Sequence, residues 1–120
     1  MANDGLAVAS ANSMLSALRN VSWTSTGAYI ELHTASPGAA GTTSVSVGST
    51  VRLSATYSAA SGGAIALSGA VGPWTNGGTT ETITDVAIWT ASTSGNFLWS
   101  APLTVAKAWA AGDTLTLNTC

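Results

Sequence analysis

Charge is what this chain has least of. Three basic and five acidic side chains stand among 120 residues, where a soluble domain is typically about a quarter charged. The cations Arg19, Arg52 and Lys107 are far apart in sequence and the net charge is −2. A phosphate backbone requires clustered Lys and Arg, so nucleic acid is not an expected partner. The single cysteine, Cys120, is the last residue, which excludes an internal disulfide framework. It reads as an ordinary chain end, an intermolecular bridge being the alternative. No apolar run approaches the length of a membrane span, so no membrane partner is expected. The N-terminus lacks the basic start and apolar run of a signal peptide, and synthesis in the cytoplasm is expected. With one histidine, His33, no multi-histidine metal site exists, and no cofactor is expected.

What is present is 46% hydrophobic residues, much of it alanine, with thirteen glycines and five tryptophans. Thr and Ser hydrate part of such a surface. Burial in an assembly is the expected fate of much of the rest.

Residues 1–20 read as a helical segment and 21–120 as a β-domain. Asn3 or Asp4 is placed to cap the helix. Ala7, Ala11, Met14, Leu15 and Leu18 recur at helical spacing, and Asn20 is the stop. The stripe is narrow and Ala-rich, so it should pack against a sheet or a neighbouring subunit. Beyond it, 28–34 alternates as a strand and ends at Ser36-Pro37-Gly38. Val45, Val47, Val51 and Leu53 surround a Gly48–Ser49 break, with Arg52 projecting from the opposite face. Ser61-Gly62-Gly63 is a turn, and Pro73-Trp74 with Asn76-Gly77-Gly78 forms a loop. Residues 82–90 make a strand whose parity switch between Ile83 and Val86 predicts a bulge near Asp85. Ser94-Gly95-Asn96 turns into Phe97-Leu98-Trp99, Pro102 restricts the next stretch to an edge or bend, and Ala111-Gly112-Asp113 precedes the last strand. Seven or eight short strands separated by turns predict a mainly β chain: one antiparallel β-sandwich or jelly-roll-like domain with a short N-terminal helix.

Leu32-His33-Thr34-Ala35-Ser36-Pro37-Gly38 followed by Gly41-Thr42 resembles the LHT-x-x-PG-x-x-GT signature of small tailed-phage virion proteins, tail-fibre-like or minor tail. The helix from Ala11 to Leu18, Arg52 with Tyr57, Ala60 to Gly63, Thr84 to Trp89, Ser94 to Leu98 and Ala111 to Leu115 follow in the same order. Two positions depart from the pattern: Ser36 and Thr90 stand where acidic residues are usual. The resemblance implies a structural virion part on the tail or the capsid surface. A homotrimer is implied, with major capsid or tail proteins as neighbours.

His33 has Glu31 two residues away on the same strand face, but two adjacent ligands are neither a metal site nor a catalytic one. His33, with Pro37 and Gly38, is therefore expected to fix a turn. Asp4, Glu31, Glu81, Asp85 and Asp113 are not placed as a pair of hydrolytic carboxylates, and no enzyme is expected. The candidate assembly contacts are Met14, Leu15, Leu18, Trp23, Trp74 and Trp109, since tryptophan is enriched at interface hot spots. Trp89 and Trp99 belong to strands and to the core or its edge. Trp74, in a Gly-Pro-Trp-Thr-Asn-Gly loop, is expected near the surface. The competing function is a carbohydrate-binding module contacting a host glycan, which predicts two or more exposed tryptophans in line.

Overall fold

Period-two alternation in this chain resolves into two antiparallel sheets that share one core. The computed structural model describes residues 5–118. In order they form α1 (Val8–Ala17), β1 (Tyr29–His33), β2 (Leu53–Ser54), β3 (Val71–Thr75), β4 (Glu81–Trp89), β5 (Phe97–Trp109) and β6 (Thr114–Leu117). The larger sheet has the order β2-β1-β4-β5, and the smaller pairs β3 with β6. Ile30 and Leu32 of β1 and Ile83, Val86 and Ile88 of β4 are buried in one cluster with Val71, Trp74, Leu115 and Leu117 of the smaller sheet. The chain is thus mainly β and antiparallel, with one short N-terminal helix.

Six strands appear among the described residues where the turn spacing predicted seven or eight. Phe97-Leu98-Trp99 and the stretch beyond Pro102 run on as the single strand β5, and the Val-rich run keeps only a short one. Val47 and Val51 are exposed, and the Val47 and Gly48 amides donate to the Glu81 carboxylate instead of to a neighbouring strand. A side chain has replaced the ladder there, so only Leu53–Ser54 pairs as β2.

The register of β1 on β4 pairs Tyr29 with Trp89, Glu31 with Ala87 and His33 with Asp85. Between Ile83 and Asp85 the pairing of β4 on β5 jumps from Lys107 to Pro102. The irregularity sits where the parity switch placed it, yet the surplus belongs to β5, where Leu103–Ala106 stand against the single residue Thr84. Pro102 lies on the sheet's edge strand, where a missing N–H costs no ladder bond. The shift lets Ile83 and Val86 both reach the core.

The helix begins later than its expected caps. Its N-cap is Ala7, with no side-chain cap bond, and Asn3 and Asp4 lie outside the described residues, as does Cys120. The segment before it runs along the edge of β5: Leu6 bridges Trp99, the Ala7 amide donates to the Leu98 carbonyl and the Ser100 amide to that of Gly5, both at 2.8 Å. Asn20 takes a left-handed φ of 63° just beyond the helix, a conformation asparagine tolerates.

Candidate functional site

The face of α1 that meets its own sheet is small and polar. Ala7 and Ser10 are buried, and Ser10 Oγ donates to the Phe97 carbonyl at 3.5 Å. The large apolar side chains point elsewhere. Leu15 is 64% exposed and Leu18 85%, with Val8, Met14, Val21 and Trp23 also exposed. Met14 and Trp23 come together, lining a shallow depression with Ala17 and Val21. Of the expected stripe, Ala7 meets the chain's own sheet, while Met14, Leu15 and Leu18 do not. Val8 and Val21 extend the surface beyond the residues singled out from the sequence, and Val8 stands three and seven positions before Ala11 and Leu15, a helical spacing that could have found it.

Two candidate contacts move from surface to interior. Trp74 is 2% exposed, not on a loop surface as expected: it lies in β3, opposite Leu115 of β6. Its indole N–H donates to the Val51 carbonyl at 2.9 Å. Trp109 is equally buried and donates to Glu81 Oε1 at 3.2 Å. Neither ring presents a face to a partner, because pairing with β6 and with the start of β4 encloses them. Trp89 is buried, and Trp99 is half-buried, tilted against Tyr57.

The outer face of the larger sheet carries a closed polar network. His33 is fully buried. Its Nδ1 is 2.8 Å from the Thr43 carbonyl and its Nε2 2.9 Å from Glu31 Oε1. Arg52 donates from Nε to Glu31 Oε2 at 2.9 Å and from a terminal nitrogen to the Ala91 and Ser94 carbonyls. The guanidinium carbon lies 4.0 Å from the Trp89 ring centroid. Burial pushes the Glu31 carboxyl up, but hydrogen bonds and positive charge from His33 and Arg52 outweigh it and hold the group below its ordinary value. His33 thus reaches the 34–45 loop through Thr43, whose amide donates to the Pro37 carbonyl at 3.0 Å. Gly38 follows at a φ of 78°, and Pro37 is fully buried.

Glu81 makes a second node. Its carboxylate accepts from Ser46 Oγ, from the Val47 and Gly48 amides and from Trp109. Burial raises this carboxyl, and those four donors more than reverse the effect, so its pKa is lowered. Asn76 joins the same end of the molecule: its side chain accepts from the Gly78 and Thr79 amides, and its backbone carbonyl accepts from Gly112. No local pattern signals this node, since Glu81 and Ser46 are thirty-five positions apart.

Where the extra residues of β5 arch away, a groove of about 750 Å³ opens against β6, lined by Leu67, Val86, Leu103, Val105, Leu115 and Leu117. Among the described residues, no three His, Cys, Asp or Glu side chains gather as a metal site, and no helix is long and apolar enough to cross a membrane.

A family model described as podophage GP4 fiber I protein gp80 matches residues 5–120 of the chain. No curated protein matches it.

Proposed function

The chain belongs to the podophage GP4 fiber I protein gp80 family, and from that premise we propose that it is a non-enzymatic structural part of a phage virion, a tail or fibre component that self-associates as a closed homotrimer and docks onto other virion proteins. One observation carries the reading. Between residues 6 and 23, Leu6, Val8, Met14, Leu15, Leu18, Val21 and Trp23 are all exposed, and Arg19 is the one charge among them. So many exposed large apolar side chains on one short segment, with a single charge among them, mark an interface.

The chain exposes 6817 Å², more than the roughly 5,900 Å² of a monomer of its mass. Closed symmetry satisfies such a surface without open-ended growth.

Catalysis has little support. His33 and Glu31 are buried, enclosed by Arg52 and the 34–45 loop. The sugar-binding alternative asks for a row of exposed tryptophans. Trp23 is 41% exposed, whereas Trp74, Trp89 and Trp109 are buried, so no such row is available.

Light scattering on purified protein tests the assembly. A mass three times the 11.8 kDa chain is expected. The double variant Leu15→Asp/Leu18→Asp should run as a folded monomer. A wild-type protein monomeric at high micromolar concentration would overturn the trimer. Electron cryomicroscopy of the particle then locates the part: density at the tail supports this reading, and density on the head at local three-fold axes replaces it with capsid decoration.

A further inference from the structure

The groove between β5 and β6 has strand edges for walls. Residues 101–105 of β5 and 114–117 of β6 all line it. Successive side chains of a strand point to opposite faces, so a hollow met by every residue in turn is met by the edge. Both edges are open among the described residues. β5 is the outer strand of its sheet, and residues 5–7 cover it only as far as Ser100. Residues 103–106 have no register partner on β4 either. β6 pairs with β3 alone. Leu115 turns its carbonyl toward Gly72 of β3, so Thr116 turns its N–H and C=O the other way, to the groove side.

One stretch of the same chain is a strand without a sheet. Residues 21–26 read Val-Ser-Trp-Thr-Ser-Thr, rich in β-branched and aromatic side chains. They are exposed and run without a turn or bend. No backbone–backbone hydrogen bond reaches them among the described residues. Val21 and Trp23, two positions apart, share a side and are 50% and 41% exposed. Six extended residues reach about 20 Å, enough to run the length of the four in β6, about 13 Å. The stretch is tied at the far end of β5 from its own groove: Thr26 Oγ1 donates to the Thr90 carbonyl at 3.3 Å, and Tyr29 pairs with Trp89.

We infer, resting on the self-association proposed above, that residues 21–26 of one copy enter this groove of a second copy as an added strand, bonded to the free edges of β5 and β6. Val21 and Trp23 then face the apolar lining of Val86, Leu115 and Leu117, with Ser22 and Thr24 on the other side. Apart from Lys107 the two surfaces carry no charge, so little desolvation opposes insertion. Main-chain bonds supply affinity in such a contact, and alternate side chains supply specificity. Donor and acceptor are different surfaces, so the contact is head-to-tail, and three copies close it into a ring. Closure also covers edges that would otherwise invite uncontrolled pairing.

Hydrogen exchange on the full chain, compared between assembling and monomeric concentrations, tests the strand. On assembly the amides of residues 21–26 and of Thr116 should gain about tenfold protection, the weight of one hydrogen bond each. An assembled protein whose amides there exchange as in the monomer would overturn the strand and leave self-association standing. Protection at Thr116 without residues 21–26 would put a different strand in the groove and overturn this one. A chain monomeric at every concentration would overturn both. Thr24→Pro removes an amide with no backbone bond to lose within the chain. It should fold as wild type and fail to assemble, and normal assembly of this variant would count against the strand. The exchange readout on the wild type stands whether or not the variant folds.

Discussion

The carboxylate of Glu81 and the indole of Trp109 meet at 3.2 Å, and the same two residues are register partners at the open end of the β4–β5 hairpin. Glu81 begins β4 and Trp109 ends β5. Their hydrogen bond therefore closes the hairpin at the end opposite its turn, while the other carboxylate contacts gather Ser46, Val47 and Gly48 onto it.

Glu81→Ala should accordingly destabilise the fold by about 2–4 kcal/mol. It strands the Trp109 indole and the Gly48 amide, while the exposed Val47 amide turns to water, and a buried donor left unpaired costs about 1–3 kcal/mol. Glu81→Gln keeps one acceptor and should cost less. Urea titration at pH 7 measures both.

Acid should weaken the protein for a definite reason. Glu31 and Glu81 are both held below the ordinary carboxylate value in the folded state. Groups of that sign contribute stability that is present above their unfolded pKa and is lost as pH falls through the folded one. The urea midpoint should fall once pH drops below about 4.3, and Glu81→Gln should flatten that slope. A midpoint constant down to pH 3 would contradict the assignment.

Arg52→Ala should cost about 3–5 kcal/mol, because it leaves Glu31 charged and buried with one cation fewer. It also removes the guanidinium stacked on Trp89 and the donors to Ala91 and Ser94. Arg52→Lys should rescue little, since an ammonium reproduces neither the fork nor the stacking. Thermal melts of the two variants check this.

Gly72→Ala should weaken the β3–β6 pairing. Gly72 has a φ of 137°, and an added Cβ would lie 2.9 Å from the Leu115 carbonyl oxygen. The expected loss is about 1–3 kcal/mol, read as a lower melting temperature. By contrast, Ala at Gly62, where nothing lies within 4 Å, meets only the conformational penalty of a φ of 60°.

Much of the fold is local physics and is legible in the sequence. Alternation of Ile30 and Leu32, and of Ile83 with Val86 and Ile88 across a parity switch, placed β1, β4 and the irregularity beside Asp85. Turn chemistry placed the Ser94-Gly95 and Ala111-Gly112-Asp113 corners, where Gly95 and Gly112 take φ of 77° and 84° and Asp113 accepts from the Ala110 amide. The apolar helix residues were also visible, because spacing alone sets which side chains share a face.

The sequence by itself determined an antiparallel β chain with a short helix and too little charge to keep its whole surface wet. Only the tertiary structure decided which apolar groups stay outside. Trp74 has loop-like neighbours and Trp109 reads as a candidate contact, yet pairing with β6 and with Glu81 put both in the core. Leu15 and Leu18 carry core-like side chains, and the docking of Ala7 and Ser10 on β5 turned them to solvent. Periodicity fixes direction relative to the local backbone. Which direction is inward depends on partners tens of residues away, and no local pattern encodes that.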